Sequence, residues 1–209
     1  MALNKKVPKT TYTPSDEPYL GRETVFVLDN LIVACLKENS RTAPLTHNIG
    51  KTDLQLAACQ LIPQGVSVAL SIRELVRQGY LFGAFVLLRS LVERSATMLY
   101  LHRNPDKIDI WKRGWKYNER PNLAKMLKSF AGDKFPGVER EITQLLNSMT
   151  HGDPDSAAWS LIQMENGGFG YGVSKIIDNP VLCDKVCMDT GVWLAVLLAM
   201  MTAIFPEEE

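Results

Sequence analysis

The sequence predicts a mainly α fold: an antiparallel helical bundle of five to seven helices, with a small β-hairpin before the C-terminal helix. Three observations carry that prediction. Apolar residues recur at helical spacing through most of the chain, as in Val25, Leu28, Leu31, Ile32 and Leu36. Proline, glycine and Asn/Ser/Thr punctuate those runs where helices start and stop. Strand-like alternation is confined to one stretch, about 158–175, built around an Asn-Gly pair.

The elements follow in order. Residues 1–21 hold Pro8, Pro14 and Pro18 without an apolar period and form a Pro-rich arm; 22–209 form a single helical domain. The first helix runs from Arg22 to about Asn39-Ser40. After a loop with Pro44, His47 and Gly50, Thr52 or Asp53 caps a helical stretch reaching about Gln78, which Pro63 and Gly65 should kink or split. Gly79 precedes the strongest element, Tyr80 to about His102, whose wide apolar surface marks it as central.

Asn104-Pro105 opens a basic helix through Trp111, Lys112, Arg113, Trp115 and Lys116. A short helix through Met126 and Leu127 ends near Gly132. Pro136 opens the next, through Val138, Ile142, Leu145, Leu146 and Met149 to His151. The hairpin pairs 159–163 with 169–173, and Asn179-Pro180 starts a last long helix to about Phe205.

Bulk composition bounds the function. The chain has 209 residues, enough to bury a core, with 46% hydrophobic and 22% charged residues, ordinary values for a globular protein. Lys+Arg and Asp+Glu balance at 23 each, so no global field draws the chain to nucleic acid or an anionic membrane. Cys35, Cys59, Cys183 and Cys187 form no C-x-x-C pair and lie in apolar helical contexts, as free thiols in a reducing cytoplasm do. No apolar stretch follows the basic start, so no secretory signal is read there. Val192 to Phe205 is an apolar run of about 14 residues against the roughly 20 a spanning helix needs, and reads as a buried core helix. No membrane partner is expected.

Two groups of residues could carry chemistry. On the central helix Arg89 and Glu93 stand one turn apart, with Arg73, Glu74 and Arg77 on the helix before. Two readings stay open: an ion pair joining helices, or an anion clamp in which Arg89 binds and Glu93 orients it. In the second group Asn147 and His151 share one face of a helix that runs out into His151-Gly152-Asp153. His151 fits a C-terminal cap, favoured by the helix dipole, or a general acid or base. As a metal ligand it lacks companions at ligand spacing, and no metal or other cofactor is expected.

Lys112, Arg113, Lys116 and Arg120 interleave with Trp111 and Trp115, a pattern able to meet phosphates and stack bases, or to form a surface helix with its tryptophans turned inward. The glycine-rich 167–172 precedes no helix and is read as a hairpin, not a phosphate loop. Walker, G-x-S-x-G and H-E-x-x-H motifs are absent, which disfavours the common NTPase and hydrolase classes.

The segment Leu88-Arg-Ser-Leu-Val-Glu-Arg94, with Leu146-Asn-Ser-Met-Thr-His-Gly152 after it, resembles uncharacterised bacterial all-helical proteins with R-S-L-x-E and S-x-x-H-G motifs. The second motif is similar in turn to the HEPN superfamily, helical bundles whose R-x(4–6)-H motif forms a metal-independent ribonuclease site across a dimer interface. That likeness spans roughly Asp53 to Gly152 and part of the last helix. It implies a protein of a toxin or phage-defence module, acting on RNA as a homodimer, with His151 as acid or base, Asn147 beside it and a partner protein from the same module. Leu146 occupies the position of the motif arginine, so the cation that would meet the phosphorane is missing from its place and Arg89 is the candidate to supply it. The alternative is a non-enzymatic helical interaction module, or an inactive RNA-binding relative.

Overall fold

A computed structural model describes residues 17–47, 50–131, 137–158, 161–171 and 179–206. It is mainly α: α1 Glu23–Thr42, α2 Asp53–Arg77, α3 Leu81–Arg103, α4 Ile108–Lys112, α5 Leu123–Ala131, α6 Val138–Thr150, α7 Pro154–Ala157 and α8 Pro180–Ile204, with a hairpin of β1 Leu161–Gln163 and β2 Phe169–Tyr171. Among the described residues α4 and α7 are single turns, of 5 and 4 residues.

Local chemistry sets the helix ends. Thr52 Oγ1 accepts from Gln55 N (3.2 Å) while Gln55 Oε1 accepts from Thr52 N (3.0 Å), a capping box that starts α2. At the other end Gly79 has φ +80°, its N–H bonds to Val76 O (3.0 Å), and Tyr80 N bonds to Leu75 O (2.8 Å). This pair of bonds is a Schellman ending, which a left-handed glycine makes possible. It folds α3 back along α2. Asn179 Oδ1 accepts from Leu182 N (3.0 Å) to cap α8, with Pro180 in the first turn.

Of the kink or split expected at Pro63 and Gly65, the split does not occur: α2 is one unbroken helix of 25 residues. Pro63 is exposed, so its ring faces solvent, while Leu61, Ile62, Gly65 and Val66 around it are buried. Tertiary burial on both sides of the proline outweighs its local cost of about 3 kcal/mol. Gly65 allows close approach instead: a Cβ there would stand 2.4 Å from Leu197 Cδ1 of α8.

α8 packs against α1, α2 and α3. It runs parallel to α1, since Arg22 and Thr24 bond Asp184 near the starts of both helices and Arg41 bonds Phe205 O at their ends (2.7 Å). Against α2 it is antiparallel, with Gln55 Nε2 on Ile204 O (3.4 Å). Leu28, Ile72, Leu81, Leu88, Leu91, Leu101, Leu194 and Leu197 are at most 2% exposed at this junction, each worth about 1.5–3 kcal/mol of burial. α8 extends over 25 residues, longer than its apolar run, and both it and α2 are long and apolar enough to cross a membrane. Here Val186, Trp193 and Leu194 of α8 and Ala57, Ala69 and Ile72 of α2 are buried against other helices.

The basic helix ends sooner than its sequence suggests. α4 stops at Lys112 and Gly114 has φ +79°, so Trp115 and Lys116 lie beyond the helix. The hairpin pairs Leu161 with Tyr171 and Gln163 with Phe169. Gly167 at φ +80° donates to Met164 O (2.9 Å), and Asn166 Oδ1 accepts from Gly168 N (3.0 Å). The expected hairpin residues Trp159 and Val173, and Gly132 and Pro136 around the α5 and α6 ends, lie outside the described residues, as do 1–16 of the arm. Residues 17–21 of the arm dock on the bundle: Tyr19 is 3% exposed and its hydroxyl accepts from Asn179 N (3.1 Å).

Candidate functional site

α3 and α6 bring four polar side chains to one point. On α3, Leu88, Leu91 and Val92 turn into the core and leave Arg89 and Glu93 on a partly exposed flank, where Arg89 Nε donates to Glu93 Oε1 (3.1 Å). On α6, Leu146 and Met149 are buried, which turns Asn147 and His151 toward that flank. Arg89 Nη1 donates a short hydrogen bond to Asn147 Oδ1 and lies 3.5 Å from His151 Nε2.

His151 occupies the C-cap of α6, its N–H bonded to Asn147 O (3.0 Å), and Gly152 at φ +68° ends the helix. The cap and the site are thus one structure, so the capping and chemical readings of His151 do not compete. His151 is exposed, whereas the Arg89 and Glu93 side chains are 24% and 29% exposed, so the guanidinium is held between two partners at the edge of open solvent.

Glu93 has a second cation. Its Oε2 is 3.6 Å from Arg120 Nη2, whose side chain is 55% exposed. Of the other charges read with Arg89 and Glu93, Arg73 is bound to Asp29 (2.6 Å) and Glu17 (2.8 Å), and Arg77 pairs with Glu74 (2.5 Å). Arg73 ties α2 to α1 and to the arm, the Arg77–Glu74 pair lies within α2, and neither reaches the site. Lys112 pairs with Asp53 (2.6 Å), Arg113 Nε donates to Asp109 O (3.3 Å), and Lys116 is exposed with no ion pair among the described residues. Only Arg120 of that basic group reaches the α3 flank.

Leu146 is 2% exposed and lines a mostly apolar cavity of about 360 Å³ with Leu88, Val92, Leu145 and Trp193. A side chain at position 146 turns into that cavity and away from Asn147 and His151. In this chain the guanidinium beside Asn147 and His151 comes from α3. Gln64 and Arg94, which sequence reasoning did not single out as site residues, line a cleft beside the site; Arg94 Nε donates to Gln64 Oε1 (3.2 Å) across the α2–α3 hairpin. No sequence signal distinguishes Gln64 from any exposed helical glutamine. Among the described residues no group of three or more His, Cys, Asp and Glu could hold a metal ion. Cys35, Cys183 and Cys187 are buried free thiols, and burial pushes Cys35 up to about 11.

Fold and site define a mainly α bundle with an Arg–Glu–Asn–His cluster between its third and sixth helices. Residues 55–131 match the model of a family of unknown function, DUF5677. That segment is similar to an uncharacterised family and contains Arg89, Glu93 and Arg120, while Asn147 and His151 lie outside it. No curated protein and no solved structure matches the chain.

Proposed function

We propose that the cluster is a ribonuclease centre of HEPN-like type, in a bacterial protein of a toxin or phage-defence module. The observation that carries this reading is the meeting of Arg89, Asn147 and His151 at one solvent-open point, with both Asn147 and His151 within reach of the same guanidinium nitrogen. In this mechanism His151 Nε2 takes the proton of a ribose 2′-hydroxyl, and O2′ attacks the adjacent phosphorus. The P–O5′ bond breaks, O5′ takes a proton from solvent, and the products carry a 2′,3′-cyclic phosphate and a 5′-hydroxyl. Arg89 meets the charge that grows on the phosphoryl oxygens, and Asn147 and Glu93 hold its plane. The four free cysteines fit a reducing cytoplasm.

Cleavage of a mixed RNA pool in EDTA, by wild type and by His151→Ala with its fold verified, tests the reading. Activity in the first, none in the second and cyclic-phosphate ends are expected. A wild type that cuts nothing overturns it.

A second reading, a helical module that associates with protein, is favoured by side chains that the bundle leaves uncovered. Phe26 (67% exposed) and Val33 (48%) lie seven residues apart on α1, and Met188 (61%) and Val192 (58%) lie one turn apart on α8. A homodimer formed there serves either reading, and light scattering during size exclusion distinguishes it from a monomer.

A further inference from the structure

Beside the cluster an open cleft of about 400 Å³ runs between α2, α3 and the segment after α4, lined by Gln64, Glu93, Arg94, Trp111, Trp115 and Arg120 among others. Its size falls within the roughly 300–1,000 Å³ of small-molecule pockets. Glu93 belongs to both places, with Oε1 on Arg89 and Oε2 facing Arg120. Trp111 and Trp115 are partly buried against the core, which fixes their rings, and each still faces the cleft. Arg94 spends Nε on Gln64 and Nη1 on Ser90 O (2.9 Å), which leaves Nη2 N–H groups to donate.

Resting on the ribonuclease reading of the neighbouring cluster, we propose that this cleft is a nucleobase subsite for the RNA strand, taking a base next to the phosphate held at Arg89. Three features select that ligand. Anchored indole rings offer a sequence-tolerant stacking surface. Two arginines against one glutamate, itself shared with Arg89, leave the lining cationic and suited to a phosphate. Gln64, Arg94 and Glu93 supply donors and acceptors for a base edge. Binding here feeds the strand toward His151, so the subsite acts on affinity and leaves the chemical step to the cluster.

The test uses full-length His151→Ala, which holds cleavage off, with a fluorescein-labelled single-stranded RNA 12-mer read by anisotropy in EDTA, and adenosine 5′-monophosphate read by tryptophan fluorescence. Trp115→Ala and Trp111→Ala are each combined with it, alongside Trp115→Phe and Arg120→Ala. Loss of one stacking ring is expected to weaken RNA binding roughly 5- to 100-fold, Trp115→Phe to retain most of it, and the mononucleotide to quench the parent protein. Unchanged binding in both Trp→Ala variants, with circular dichroism intact, overturns the subsite. If those variants fail to fold, absence of quenching by the mononucleotide in the parent overturns it instead. A wild type that binds RNA through these rings but never cuts it sinks the ribonuclease reading and keeps the subsite; a wild type that cuts RNA, with kcat/KM unaltered in both Trp→Ala variants, does the reverse.

Discussion

Arg89 Nη1 stands 3.5 Å from His151 Nε2, across 62 residues of chain and two helices. The same nitrogen bonds Asn147. One guanidinium therefore orients both α6 side chains, and Glu93 holds it from behind.

On the proposed ribonuclease function, replacing that cation separates catalysis from folding. Arg89→Lys keeps a charge but loses the fork that meets Glu93 and Asn147 together. We expect RNA cleavage in EDTA to fall about 10²- to 10³-fold, with thermal unfolding little changed because the side chain lies at the partly exposed flank. Gel quantification of cleavage against the melting temperature checks both.

Leu146→Arg restores the arginine of the R-x(4–6)-H pattern in sequence but not in space. The side chain would displace packing at a 2% exposed position beside Leu88 and Val92, and overfilling a packed site should cost about 1–3 kcal/mol, even with Glu139, Glu141 and Asp189 on the cavity's rim. A marked fall in melting temperature without gain of cleavage is expected. A stable variant with raised activity would show that position 146 can turn to the site.

The α2–α8 crossing depends on Gly65. Gly65→Val must displace Leu197, which is fully buried, and should destabilise by about 1–3 kcal/mol. Adding Leu197→Ala makes room, so the double variant should lose less than the sum of the two single losses. A denaturant double-mutant cycle reads this directly.

The α1–α8 clasp is acid-sensitive. The Arg22 guanidinium, with Thr24 beside it, holds the Asp184 carboxyl below the usual aspartate range. A carboxyl depressed in the folded state adds stability above its unfolded pKa of about 3.9 and loses it as pH falls through the folded value. Asp184→Asn should therefore melt modestly lower than wild type at neutral pH, with the difference closing below about pH 4. Paired melting curves across pH 2–7 test the sign, and a difference that persists at the acid end would contradict it.

Much of the fold could be read from residue order because its signals are local. Thr52 and Gln55 are three apart and cap α2; Gly79 and Asn179-Pro180 mark helix ends; Asn166-Gly167 marks the hairpin turn. The i,i+4 spacing likewise put Arg89 with Glu93 and Asn147 with His151. Local rules failed where burial outweighed them or where a turn cut an apolar period short, as at Pro63, which α2 absorbs, and at Gly114, which ends α4 before Trp115.

What the sequence by itself determined was the mainly helical class, the long helices and the two polar pairs, since each depends on contacts within about one helical turn. Only the tertiary structure decided that the pairs face each other, that Leu146 points into the core, and that Gln64, Arg94 and the tryptophans line a cleft beside Glu93. Those facts depend on the packing of α3 against α6 and α2, a relation between distant segments set by the summed burial of Leu88, Val92, Leu146 and Met149 and carried by no single residue.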